Sequence, residues 1–209
     1  MPTSRSYGDA CATARALDVV GERWALLVVR ELLLGPQRFS DVRRALPGAS
    51  SNLVTDRLRE LEGRGVVTRR TLPPPAGSTV YELTEWGREL EPIVLALGAW
   101  AANVPLPPSA TLGATSVLLF LRGSARPRGI ACYRVELDSR VWTVRTEPGR
   151  LTVEPGEPAE PDATIRTDPL MLNALLENPG DLDVAIADGR VEIDGDRKAV
   201  RRLLREHEA

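Results

Sequence analysis

Histidine, cysteine and long apolar runs are all scarce in this chain of 209 residues, and each scarcity removes a class of function. The sole histidine, His207, lies two residues from the carboxyl end, where fraying and solvent are the default. Cys11 and Cys132 are the only cysteines, and their spacing suits neither a zinc knuckle nor a redox pair, so neither a structural disulfide nor a bound metal is expected. The turns Asp188-Gly189 and Asp194-Gly195-Asp196 lack the ligand series and closing glutamate of a calcium loop. A glycine-rich phosphate loop, a nucleophile elbow and a dinucleotide fingerprint are likewise missing, so neither an enzyme nor a cofactor is expected. The longest apolar stretches, Trp24 to Val29 and Val117 to Leu121, fall far short of the roughly 20 residues that cross a bilayer. With no basic and apolar leader at the start, the expected compartment is the cytoplasm.

What is present is an ordinary globular composition, 43% hydrophobic and 27% charged, long enough for two domains that each bury a core. A net charge of -2 argues against coating nucleic acid through bulk positive charge, so any such contact must come from a local patch. Residues 38 to 70 supply one, with eight arginines against four acidic side chains.

Three prolines between Asn103 and Ala110 cannot continue a helix and divide the chain into a domain over 1–102, a linker over 103–110 and a domain over 111–209. The first domain reads as helices over Cys11 to Val20 and Glu22 to Leu34, the latter stopped by Gly35-Pro36. A third helix capped by Ser40 ends before Pro47-Gly48, and a fourth capped by Ser50 or Ser51 ends at Gly63 or Gly65. A hairpin follows, with arms Val66 to Leu72 and Thr79 to Leu83 around a Pro73 to Ser78 tip. Thr84 caps a last helix reaching about Ala102, with a kink near Arg88 to Pro92 because Pro92 lacks an amide proton. The second domain reads as strands Gly129–Leu137, Val141–Thr146, Leu151–Glu154, Asp162–Thr167 and Val191–Ile193, with helices Pro169–Leu176, Asp181–Ala187 and Asp196–His207. Gly113 to Leu121 fits strand and helix equally by periodicity.

Two short helices, a tight turn and a hairpin in that order present one helix to a DNA major groove. On the fourth helix, Val54, Leu58 and Leu61 share one side, while Asn52, Thr55, Asp56 and Arg59 share the other. Asparagine pairs with adenine, arginine with guanine, and aspartate accepts from cytosine, so the second set is a reading face. Arg57 lies toward the core flank, better placed for a phosphate or an intramolecular partner than for a base. Arg43 and Arg44 before this helix, and Arg69 and Arg70 on the hairpin, are positioned as phosphate contacts. On the last helix Trp86, Leu90, Ile93, Leu97 and Trp100 form a stripe too long for the small domain to cover, which predicts a homodimer.

The segments Cys11 to Leu34, Arg38-Phe39-Ser40-Asp41-Val42, Leu58 to Val67 and Tyr81 to Gly87 together resemble the HxlR family of winged-helix regulators, over roughly residues 7–102. The resemblance implies a homodimer, built by the first and last helices, reading operator DNA. It places Ser51, Asn52, Thr55 and Arg57 through Arg59 on the recognition helix, and Arg69 with the Pro73 to Thr79 tip on the wing. Family wings often carry a basic residue where this chain has Ser78-Thr79. Cys11 stands where some relatives carry a sensing thiol; with no neighbouring sequence feature to activate it, a small buried packing residue is the expected role. The second half resembles a sterol carrier protein type 2-like domain through Asp162-Ala163-Thr164-Ile165, Leu170 to Leu176 and Ala187 to Asp196. That resemblance implies a helical Gly113 to Leu121 and an apolar cavity between helices and sheet, with Phe120, Tyr133, Trp142, Met171, Leu172 and Leu175 as lining candidates.

The fold class expected is thus α+β: a winged helix-turn-helix followed by an α/β sandwich. The function expected is a DNA-binding regulator controlled by an apolar small molecule. The competing reading is a ligand-carrying or protein-interaction module whose winged helix does not touch DNA; steep salt dependence of binding would separate the two.

Overall fold

The computed structural model describes residues 6–73, 77–101, 104–105 and 110–206. The chain separates into two compact units, Met1–Ala102 and Asn103–Ala209. Of the segments discussed above, part of the hairpin tip, much of the proline-rich stretch, Ala102 and His207 lie outside the described residues.

The first unit runs α1 (Ala12–Val20), α2 (Ala25–Leu32), α3 (Phe39–Ala45), α4 (Ser51–Gly63), β1 (Val67–Thr71), β2 (Thr79–Leu83), α5 (Glu85–Arg88) and α6 (Glu91–Trp100). α2 begins three residues later than the apolar pattern suggests. Trp24 takes a left-handed φ of 78°, which a helix cannot contain, and its ring lies against Gly48, where a Cβ would come within 2.9 Å. Ser40 is not a cap either. Gln37 exchanges backbone hydrogen bonds with Tyr81 at 2.9 and 2.8 Å, adding a bridge to the hairpin. This pins the chain so that extended Arg38 occupies the cap position of α3, with no side-chain bond. Between the two candidate caps of α4 the structure selects Ser50, whose hydroxyl accepts from the Leu53 amide at 3.2 Å. At the other end Gly65 adopts φ 76°, Val66 N–H bonds Leu61 O and Gly65 N–H bonds Glu62 O, the double bond of a Schellman turn.

The expected kink is a full interruption. α5 is one turn capped by Thr84, whose hydroxyl accepts from Gly87 N–H at 3.0 Å, and Pro92 then occupies the first turn of α6, where its missing amide costs nothing. Gly87 is required by close approach, because a Cβ there would meet the Val66 carbonyl oxygen at 2.1 Å.

The second unit runs α7 (Ala114–Ser124), β3 (Ala131–Leu137), β4 (Arg140–Glu147), β5 (Arg150–Pro155), β6 (Ala163–Thr167), α8 (Pro169–Glu177), α9 (Leu182–Ala187), β7 (Glu192–Gly195) and α10 (Arg197–Arg205). Gly113 to Leu121 is therefore helical apart from its cap, and a 3-10 turn at Pro179–Asp181 leads into α9. The strands form one sheet in the order β5-β4-β3-β6-β7, parallel between β3 and β6 and antiparallel elsewhere. Strict alternation sorts its faces. Tyr133, Val135, Val144 and Ile165 enter the core beneath α7, α8 and α10, while Arg134, Glu136 and Arg166 stand on the other face in a ladder of ion pairs.

Candidate nucleic-acid interface

Val54, Leu58 and Leu61 are at most 1% exposed and seat α4 against α2, so its opposite face is set outward by packing alone. Ser51, Asn52, Thr55, Asp56 and Arg59 are all exposed on that face. Thr55 donates its hydroxyl to Ser51 O at 2.9 Å, which holds its methyl outward. Arg59 lies 3.6 Å from Asp56 with both side chains more than half exposed, a pair weak enough to exchange for a DNA group.

Arg57 does not belong to this set. Its side chain is 11% exposed and lies 2.6 Å from Glu60 and 3.5 Å from Glu22. The Glu60 contact is out of line with the N–H directions, so it is chiefly Coulombic. Arg57 thus has intramolecular partners, one of the two roles its sequence position leaves open.

The flanking arginines divide. Arg43 reaches Ser51 Oγ at 3.4 Å and Leu46 O at 3.3 Å, so it braces the turn between α3 and α4, while Arg44 remains exposed in a loose pair with Asp41. Arg69 and Arg70 are neighbours on β1 and leave opposite faces of the ribbon. Arg69 lies 3.6 Å from Glu62 at the end of α4, and Arg70 is bonded across the ribbon to Glu82 at 3.0 Å. Only Arg69 shares a side with the reading helix. Sequence reasoning missed Arg38, which is exposed and donates from Nε to Ser78 Oγ at 3.0 Å, setting a cation at the wing where the residue itself is serine. The bridge between Gln37 and Tyr81 brings the two together, and no short-range pattern announces it.

Trp86, Ile93, Leu97 and Trp100 are 51%, 50%, 44% and 80% exposed, Leu90 is half-buried, and α6 contains no buried residue. Tyr7 and Leu17 add exposed apolar surface at the amino-terminal end. Cys11 is exposed, not the buried packing residue expected. It occupies the N-cap position of α1, where the nearby amides of Ala14 and Thr13, with the Thr13 hydroxyl, hold its thiol below the usual range.

In the second unit Tyr133, Trp142, Met171, Leu172 and Leu175 are buried, but Phe120 is 42% exposed and does not join them, because it falls on the outer face of α7 while Leu118, Leu119 and Leu121 fill the inner one. Trp142 Nε1 and Thr115 Oγ1 are buried without hydrogen-bond partners. Among the described residues no cluster of three or more His, Cys, Asp or Glu side chains could hold a metal, and no helix is long and apolar enough to cross a membrane.

This geometry can be set beside known proteins. The chain matches the family model for the SCP-2 sterol transfer family over residues 124–205 and that for HxlR-like helix-turn-helix proteins over residues 19–107. It is 41% identical over 89 residues to the HTH-type transcriptional regulator YvaP of Bacillus subtilis (strain 168), covering 43% of this chain and 82% of that one. It is 35% identical over 86 residues to the HTH-type transcriptional regulator YodB of the same strain, covering 41% and 77%. Among solved structures, the redox regulator HypR in its oxidized form is 35% identical with a TM-score of 0.43, covering 46% of this chain and all of that one. The two family matches thus fall one in each half, the HxlR-like one on the half that carries the winged helix. A two-helix reader, a hairpin wing and an apolar terminal helix, matched in sequence across most of the length of regulators such as YvaP, place this chain in the HxlR-like helix-turn-helix family.

Proposed function

We propose that the protein is a sequence-specific DNA-binding transcriptional regulator, dimeric and cytoplasmic, with no catalytic role. The observation that carries this reading is the exposed face of α4, where Asn52, Asp56 and Arg59 stand together and the buried side supplies the rigid support that base reading needs. Ser51, Thr55, Arg44, Arg69 and Arg38 surround that face as phosphate contacts, with Arg43 holding the turn and Arg70 contributing field at the wing. Two protomers pair through α6, whose apolar face otherwise stands in water. Fluorescence anisotropy with the DNA upstream of its own gene, against a scrambled duplex, tests the reading. Tight binding to the first alone, steeply weakened by salt, supports it; equal weak binding to both would overturn it.

The second domain tunes that binding by holding an apolar molecule that carries a hydrogen-bond acceptor. Trp142 Nε1 and Thr115 Oγ1 are buried polar atoms that a ligand would satisfy, each orphan costing about 1–3 kcal/mol while unmet. Coupling to the operator is then on the order of 1–3 kcal/mol. If an apolar ligand bound tightly and left operator affinity unchanged, this part would be wrong.

A second input is favoured by Cys11, exposed and with its thiol acidified at the start of α1. HypR, a solved relative, is described as a redox regulator in oxidized and reduced forms. Here Cys11 would couple electrophiles or oxidants to the dimer, and a Cys11→Ser protein that still lost its operator on electrophile treatment would exclude the role.

A further inference from the structure

α10 buries Ala199, Val200, Leu203 and Leu204 and turns Lys198, Arg201, Arg202 and Arg205 the other way, within a stripe about 100° wide. Those four cations and Glu206 line a pocket of about 330 Å³. The loop after α7 is fastened to its rim: Arg126 N–H bonds Glu206 O at 2.6 Å, and Arg128 N–H bonds the Glu206 carboxylate at 3.1 Å. Gly129 in this loop passes so close that a Cβ would lie 3.3 Å from Arg202 Nε. Tyr133, buried and bonded through its hydroxyl to Ala199 O at 3.0 Å, also interacts with Arg202.

The charges are unbalanced. Arg201 is paired with Asp183 at 2.5 Å, but Lys198, Arg202 and Arg205 make no ion pair with another described residue. Against the single carboxylate of Glu206 they leave a local charge of +2. Elsewhere in the same unit Arg134, Arg145, Arg166 and Arg190 all stand against carboxylates. Like charges three and four residues apart on a helix repel, so the arrangement is unfavourable until an anion enters it.

We propose that this pocket is a binding site for a phosphate-type dianion, held by charge-assisted hydrogen bonds from Arg202, Arg205 and Lys198. Guanidinium groups match the planar pairs of oxygens on a phosphate, and a monoester carries close to two negative charges at neutral pH. The phosphate is either free or the end of a larger molecule. The inference stands independently of the operator and core-ligand readings above.

Lys198 is the only lysine in the chain, so its acylation is a single-site reporter. Full-length protein at fixed ionic strength would be titrated calorimetrically with inorganic phosphate and with octyl phosphate, and Lys198 acylation followed by peptide mass mapping. Saturable binding and protection of Lys198 are expected. Arg205→Glu should weaken binding at least about tenfold, while Arg197→Glu, the same charge change on the same helix but outside the pocket, should weaken it less than about twofold. Tighter octyl phosphate supports a tailed ligand, and equal affinity supports free phosphate. Absence of saturable binding, or equal losses in the two variants, would overturn the proposal. So would a Lys198 left unprotected by phosphate while Arg205→Glu lowers operator affinity, which would make α10 a DNA contact.

Discussion

Arg57 and Arg59 stand two residues apart on α4, one paired within the chain and one exposed, and a pair of alanine substitutions can separate the roles proposed for them. Arg59→Ala removes an exposed guanidinium whose only recorded ion pair, 3.6 Å from Asp56, is worth about 0–1 kcal/mol of stability at most. If Arg59 reads a base, its loss costs about 1–3 kcal/mol of operator binding, a drop of roughly 5- to 150-fold, with the melting temperature nearly unchanged. Arg57→Ala removes a side chain that is 11% exposed and lies 2.6 Å from Glu60, itself 34% exposed, with Glu22 a looser, solvent-screened neighbour at 3.5 Å. Leaving Glu60 half-buried and unpaired, with the lost packing of the arginine stem, costs about 1–2 kcal/mol of stability. For a unit of this size that is roughly 4–16 °C in melting temperature. Operator affinity of the folded fraction should change less than about twofold. The assays are fluorescence anisotropy on the operator and thermal unfolding by circular dichroism, both on the same preparations. The reversed pattern, with Arg57→Ala losing affinity at full stability and Arg59→Ala binding normally, would refute the assignment of the α4 faces.

Three other outcomes follow from the packing. Gly87→Ala should destabilise the first domain by about 2–4 kcal/mol, since its methyl must displace the Val66 carbonyl that also receives Thr84 N–H at 3.0 Å; an unchanged thermal melt would contradict the close approach. If protomers pair through α6 as proposed, Leu97→Asp combined with Trp100→Ser should give a monomer in sedimentation at micromolar concentration while leaving helicity intact, because neither side chain is buried within its own chain; an unchanged sedimentation coefficient would contradict that pairing. The depressed Cys11 pKa means that its thiolate persists to lower pH than that of an ordinary thiol. Iodoacetamide should therefore modify it faster than half-buried Cys132 at neutral pH, the rate falling only as pH drops through the lowered value; equal rates read by mass spectrometry would oppose that.

Periodicity alone was enough to divide the α4 faces, because burial of Val54, Leu58 and Leu61 at a spacing of three to four residues leaves one orientation for the helix. Thr84 was legible as a cap for a similarly local reason, and the ends of α4 were narrowed to Ser50 or Ser51 and to Gly63 or Gly65, because such bonds close within a few residues. The spans of β3 through β6 were likewise legible, each within a few residues of its observed bounds. Gly113 to Leu121 was undecided between strand and helix by periodicity; the family resemblance implied the helix that its packing on α8 and β5 holds.

What local pattern could not carry were contacts between residues distant in the chain. The left-handed turn at Trp24 exists because Gly48 makes room for its ring, the start of α3 is set by Tyr81, and Arg38 reaches the wing through Ser78. Phe120 faces outward, Arg57 turns to Glu60 and Glu22, and Cys11 stands exposed for the same reason: a residue's type sets what it can do, but its neighbours in space decide which of those options is the lowest in free energy. The residue types, their periods and their caps determined the order of helices, hairpin and strands, and the family resemblance added that the helices of the second half cover its sheet. The tertiary structure decided which arginines of the first unit stay exposed, which are paired within the chain, and where cations on α10 outnumber the carboxylates beside them.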